Sequence, residues 1–418
     1  MGLVDSIMVG RLGAAALAGV GIGNGLFFTT TILGVGIVMG MDAPVAQAIG
    51  AGEPVLARRA LWQGIRIAIL ASLGLALVIA LLPLLLPVAG VAPSVAHEAT
   101  RFTLARVPNI TPFLLVVALR AYLQANGVTR PIILGTVVGN PVNLGGNALL
   151  IYGVPSLGIP AMGVVGSALS SSVASVCMFA VLVMALRGVP APEDPRRRAW
   201  DPAIVRTILR LGLPVAGQLA AEVGAFALAG VMCGRLGELP GAGHQVALAL
   251  ASITFTVTLG VAAATSVRVG QHVGHDDTAG ARRAGFLGLA TGAGFMVLAG
   301  TLFFSLPVLL ARVIAPAPHI VAAAVPLIGV AAVFQVFDGL QVVAAGALRG
   351  AGDTRAALWA NILGYHALGL PIGISLAFFV GWGASGIWWG LTIGLVVVAV
   401  WLVARFAAVS SRPIRRVR

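Results

Sequence analysis

The chain has no lysine, few charges of either sign and only two cysteines among its 418 residues. Charged residues make up 9%, against roughly a quarter in soluble globular domains. With 59% hydrophobic residues and a mean hydropathy of +1.02, that shortage excludes a soluble domain and points to a polytopic helical membrane protein. Cys177 and Cys233 both lie in apolar runs, which excludes a disulfide framework. No His/Asp/Glu cluster has metal-ligand spacing, and neither a G-x-S-x-G motif nor a phosphate-binding loop occurs, so an enzyme has nothing to work with. The opening MGLVDSIMVGRLG lacks the basic and apolar regions of a cleavable signal peptide.

What is present is arginine, which supplies all 26 basic residues against 13 acidic ones. These arginines sit in short turns between apolar runs, where they set membrane orientation and do not mark a nucleic-acid surface. Apolar runs long enough to cross hydrocarbon fall at roughly 14–41, 67–96, 102–126, 131–153, 158–186, 207–234, 240–267, 284–311, 320–348, 356–380 and 383–404. Met1 to Leu12 makes a twelfth, incomplete segment. One set of connections carries Arg58, Arg59, Arg130, Arg196 to Arg198, Arg282, Arg283, Arg349, Arg355 and the RPIRRVR tail. The alternate set has Arg11, Arg101, Arg106, Arg235 and Arg312. The richer set is expected in the cytoplasm, the C-terminus with it.

The longest polar connection, RGVPAPEDPRRRAWDP from Arg187 to Pro202, reads as a surface linker. The expected organisation is an N-terminal bundle over 1–188, a cytoplasmic linker over 189–203 and a C-terminal bundle over 204–418. The halves repeat each other. Gly10-Arg11-Leu12-Gly13 recurs as Gly234-Arg235-Leu236-Gly237, Gln47 and Gly50 as Gln271 and Gly274, and Gly127, Thr129 and Arg130 as Gly352, Thr354 and Arg355. Six segments per half predict an all-α fold of twelve transmembrane helices in two bundles, related by a pseudo-two-fold axis along the membrane normal. The seventh segment starts near Val205, so the register also predicts roughly twenty further residues ahead of Met1, with a late start codon as the simplest explanation.

Carboxylates inside spans are costly, about 2.5–3.5 kcal/mol on insertion scales, and so mark function. Glu222 and Asp338 each lie ~16–18 Å from a membrane face at ~1.5 Å per residue, and both belong to the second half. Two such groups close together in low dielectric must bind protons or a metal ion. Gln218 and Phe226 flank Glu222 on its helix face, and Phe334 and Gln341 flank Asp338, which suits a cavity lining. Asp5 falls in the outer third of the first segment, within reach of water, and Asp42 at the cytoplasmic end of the second. Asn140, Asn143 and Asn147 form a stripe that either lines the first bundle's cavity or bonds between helices. His366 is a candidate for a proton relay.

VDSIMVGRLG, AQAIGAGE and LRGAGDTR, in this order and within a six-plus-six repeat, resemble the multidrug and toxic compound extrusion (MATE) transporters over essentially the whole chain. Glu222, Asp338 and the pair Asn143/Asn147 are similar to the NorM-like branch, and Asp5 corresponds to that family's first-helix Asp. The resemblance implies alternating access and export of cationic amphipathic drugs and dyes from a bacterial inner membrane, with inward sodium or protons as coupling ion. No cofactor is implied beyond that ion; a metal site is expected only as sodium at Glu222 and Asp338. Partners are small molecules and membrane lipid, with no nucleic acid, and the protein is expected to be a monomer. Some sodium-coupled relatives carry Tyr where Phe334 stands, so the ion stays open. The alternative is a lipid-linked oligosaccharide flippase of the same superfamily. That activity calls for arginines in the cavity, whereas Arg120 is the one Arg placed well inside a span.

Overall fold

The computed structural model describes residues 5, 8–190, 194 and 198–417. Within these the chain is helical, with one isolated bridge between Val154 and Ile159. Helices are the expected outcome, because backbone groups in hydrocarbon find partners only within their own segment. Ten helical stretches are long and apolar enough to cross a membrane. A further helix, α6 (Arg130–Tyr152), has 23 residues but is diluted by its asparagines. Of the segment Met1 to Leu12, Asp5 and Met8 to Leu12 lie within the described residues, and the linker arginines 196 and 197 lie outside them.

The chain divides into two compact units. The first holds the described residues up to Met41 and those from Pro54 to Gly212; the second holds Asp42–Glu53 and Leu213–Arg418. In the first unit, α1 (Ala14–Met39), α3 (Pro54–Leu81), α4 (Pro93–Arg106), α5 (Ile110–Ala125), α6 and α7 (Val164–Arg187) pack together, with α6 lying against α7 and α1 against α4. Helix α3 begins well ahead of its apolar run. Arg58, Arg59 and Arg66 extend it, because long arginine stems can lie along the helix while their heads reach polar groups. Arg59 pairs with Asp194 at 2.8 Å, and Gln63 donates to the Ala199 carbonyl at 2.7 Å, so the linker's described residues are held to α3.

In the second unit, α8 (Pro202–Arg235) contributes from Leu213 onward. It is joined by α9 (Glu238–Gly274), α10 (Thr278–Ser305), α11 (Pro307–Ile314), α12 (Pro318–Gly350) and α15 (Gly383–Val409). Between α12 and α15 runs a stretch of mixed geometry. It comprises α13 (Arg355–Asn361), a π-helical segment Ile362–Gly369, α14 (Leu370–Ile374) and a second π-helical segment Ser375–Phe379. Asp277 caps α10 by accepting from the Gly280 amide at 2.8 Å. That bond, helped by His272, holds the Asp277 carboxyl below its ordinary range.

The short helix α2 (Asp42–Gly50) packs on α9 although it precedes it by nearly half the chain. Its fit explains the glycines of the repeat. A Cβ on Gly50 would lie 2.0 Å from the Gln271 carbonyl oxygen, and a Cβ on Gly274 would lie 2.1 Å from that of Gln47. These are the residues that the 224-residue offset relates, so the contact is reciprocal, as a two-fold relation between α2 and α9 demands. Asp42 pairs with Arg349 at 3.0 Å, and the Gln47 amide donates to the Gly350 carbonyl at 3.0 Å. The AQAIGAGE and LRGAGDTR motifs thus meet each other.

Gly50→Val or Gly274→Val should therefore separate α2 from α9. The expected cost is that of overpacking, about 1–3 kcal/mol or more, seen as a lower Tm of the detergent-solubilised protein.

Candidate functional site

Each unit contains one buried carboxylate centre. In the first, Asp5 is fully buried. Asn143 and Asn147 stand one turn apart on α6, so both amides reach the same point; their Nδ2 groups donate to Asp5 Oδ1 at 3.1 and 2.8 Å. From α7, the Ser171 hydroxyl donates to Asp5 Oδ2 at 3.0 Å, and Ser170 holds α7 to α6 by donating to the Asn143 carbonyl at 2.7 Å. Arg106, at the end of α4, brings Nη1 to 3.8 Å from Asp5 Oδ2. Its guanidinium also donates to Asn24 Oδ1 and lies over Phe27 and Phe102, 4.6 and 5.4 Å from their ring centres.

Two expectations are corrected here. Arg106 is not a loop residue, and Asp5 is not within reach of water; both side chains are buried. The sequence Arg-Val-Pro-Asn reads as a turn, yet Val107–Asn109 is a single 3-10 turn inside one spanning pair, α4 and α5. Arg120 does lie inside a candidate span, where it is exposed on α5. Asn140 drops out of the stripe: it is exposed and bonds back to the Thr136 carbonyl at 3.2 Å.

In the second unit, Glu222 on α8 and Asp338 on α12 are both buried, with Asp338 within range of the Glu222 charge. Gln341, one turn beyond Asp338, donates to Glu222 Oε2 at 3.3 Å and so links the two helices. Gln218 is buried one turn before Glu222. The Phe226 ring meets Phe334 edge-on at 5.9 Å and Tyr365 at 6.0 Å, and Phe334 meets Trp388 at 5.8 Å. Together these four rings make an aromatic wall.

Tyr365 and Trp388 were not legible in the sequence as part of this centre. Tyr365 stands in the π-helical segment, a geometry often found at functional sites, and its hydroxyl lies within range of both carboxylate charges. The same segment turns His366 toward α8, where its Nε2 lies 2.9 Å from the Ala221 carbonyl. A hydroxyl missing from Phe334 is therefore present on a neighbouring helix.

The polar bookkeeping differs sharply between the centres. Asp5 accepts three hydrogen bonds and faces one guanidinium. No hydrogen bond reaches Asp338, and no ion pair reaches either Asp338 or Glu222, among the described residues. Around them the Tyr365 hydroxyl, the Trp388 Nε1, the Gln335 amide and the Gln341 Oε1 are buried without partners. Orphaned polar atoms in this number are costly, and they suit an interior that water, an ion or a ligand enters. Asn143 and Asn147 likewise each leave Oδ1 unpartnered beside Asp5. A groove of about 570 Å³ between α9 and α10, bordered by Arg268, His272, Asp277 and Arg283, includes none of these residues.

Comparison with known proteins agrees over the whole chain. The family profile described as MatE matches residues 1–149 and 214–374. A probable multidrug resistance protein NorM of Pseudomonas aeruginosa is 35% identical, covering 99% of this chain and 86% of the relative. Another of the same description, from Mesorhizobium japonicum, is 36% identical over 97% of this chain and 89% of its own. Among solved structures, the eukaryotic MATE transporter AtDTX14 superposes with a TM-score of 0.89 at 21% identity, covering 100% of this chain and 94% of that one. At that identity the likeness speaks for the fold.

Ser171→Ala should remove one of the three bonds to Asp5. A hydrogen bond to a charged group is worth about 1.5–3 kcal/mol, so the variant should melt at lower temperature in detergent, while Ser171→Thr should melt near the parent.

Proposed function

The chain belongs to the MatE family, and on that footing we propose that it is a secondary active multidrug efflux transporter that exchanges cationic amphipathic compounds for sodium or protons. The observation that carries this reading is the pair Glu222/Asp338: two buried carboxylates with no cationic side chain paired to them among the described residues. Such a pair attracts a cation strongly and cannot stay doubly ionised without one. A structural role alone gives no reason to leave Asp338 without a hydrogen bond, since an unsatisfied buried charge only costs stability.

The mechanism follows from competition. With Glu222 and Asp338 ionised, an organic cation enters the second unit and rests against Phe226, Phe334, Tyr365 and Trp388. Aromatic faces add about 0.5–2 kcal/mol to such binding. When a proton or sodium ion reaches the carboxylates, their attraction for the drug is lost and the drug leaves. Alternating access results if the ion-loaded and drug-loaded forms prefer opposite facings, because a ligand shifts an equilibrium by its differential affinity for the two states. Asp5 with Asn143, Asn147 and Ser171 forms a second place for the ion. Its oxygens are those a hard cation prefers. Gln218 and Gln341 complete the polar part of the drug site. The protein works as a monomer in a bacterial inner membrane, its C-terminus in the cytoplasm with the richer set of arginines.

In proteoliposomes, dye efflux should proceed under an inward sodium gradient alone or an inward proton gradient alone, and the gradient that suffices names the coupling ion. Asp338→Asn should reduce efflux to the level of empty vesicles while leaving the protein inserted. Undiminished efflux in that variant would overturn the mechanism.

A further inference from the structure

Arg106 sits beside Asp5 without being docked on it. Charge-assisted N–H···O bonds run to about 2.7–2.9 Å, whereas Arg106 Nη1 stands 3.8 Å from Asp5 Oδ2. The guanidinium spends its hydrogen bond on Asn24 Oδ1 and its faces on Phe27 and Phe102, contacts that hold it in place independently of the carboxylate. Its Nε is buried with no partner. The arginine is therefore attracted in one direction and anchored in another.

The asparagines show a matching duality. Asn143 and Asn147 turn their nitrogens to Asp5 and leave their oxygens orphaned. Rotating either amide by half a turn would exchange the two ends. Two amide oxygens facing a carboxylate repel it unless a cation stands between them. Asp5 thus has two self-consistent environments. In one, amide nitrogens and a nearby guanidinium compensate it; in the other, amide oxygens share an inorganic cation with it. Both cannot hold at once, because the ion and Arg106 carry the same sign.

We propose that Arg106 is a tethered cation that competes with the coupling ion for Asp5, with Asn24 setting the balance by holding the guanidinium back. The inference rests on reading Asp5 as an ion-coupling residue. The ligand class it assigns is a monovalent hard cation of sodium's kind. One carboxylate and neutral oxygens supply the donors, and the neighbouring positive charge weighs twice as heavily against a divalent ion. Competition also gives the site a means of release. When the ion departs, the guanidinium restores the charge of an otherwise bare carboxylate, so emptying the site does not leave an uncompensated charge in the bilayer.

The test is equilibrium binding of radiolabelled sodium to the full-length protein in detergent, in a Glu222→Gln/Asp338→Asn background that leaves the first unit as the one site under study. Arg106→Gln should tighten sodium binding by about tenfold or more, since a like charge about 4 Å away is removed. Arg106→Lys should stay near the parent. Asn24→Ala keeps the guanidinium and frees it to approach Asp5, so it should weaken sodium binding, the opposite sign. Asp5→Asn should abolish binding with or without Arg106→Gln. In the otherwise unaltered protein, Arg106→Gln should lower the maximal efflux rate under a sodium gradient while the KM for dye stays near the parent's, because ion release becomes slow. Equal or weaker sodium binding by Arg106→Gln, with Asp5→Asn still abolishing it, would overturn the role of Arg106 and leave the Asp5 reading standing. No sodium binding in any variant would overturn the role of Arg106 and the reading of Asp5 as a sodium site.

Discussion

A carboxylate withdrawn from water into a membrane interior must have its charge answered within a few ångströms, and everything about the two centres follows from how each answers it. Asp5 is answered by structure. Two amides, a hydroxyl and a guanidinium arrive from three helices, and each of those helices is fixed partly by that meeting. Glu222 and Asp338 are answered only in part, by the Gln341 amide and by helices that close around them. The first arrangement compensates its charge from within the protein, and the second leaves a deficit that a ligand can fill.

The same constraint explains which features could be read from the amino-acid sequence. Apolar runs are a property of the chain itself, so the all-helical fold and its spans were legible. The stripe Asn143/Asn147 was visible as helical spacing, but its target was not. Asp5 lies more than 130 positions away, and no local pattern joins them. Arg106 was misplaced for a related reason. An arginine followed by Val-Pro-Asn at the edge of an apolar run has every mark of a loop, and only a buried partner makes an interior position tolerable. Trp388 and Tyr365 read as ordinary apolar-face aromatics. Their role depends on π-helical geometry and on helix α15, neither of which leaves a periodic trace.

The internal repeat has a physical use beyond ancestry. Gln47, Gly50, Gln271 and Gly274 are positions shared by both halves, and they are the ones that need close backbone approach. Asp338 and its neighbours are not shared: the corresponding position in the first half is Phe113. Residues that hold the scaffold together recur, while Asp338 belongs to the second copy alone.

The docking of α2 on α9 and α12 also sets an order of assembly. Asp42, Gln47 and Gly50 leave the ribosome about 300 residues before Arg349 and Gly350. At about 5–20 residues per second, that interval is roughly 15–60 s. Throughout it, a polar turn of the first half waits without the ion pair and hydrogen bond that later hold it. The second unit is therefore begun early and closed late: α2 is made with the first helices, yet it gains its final contacts only when the last third of the chain arrives.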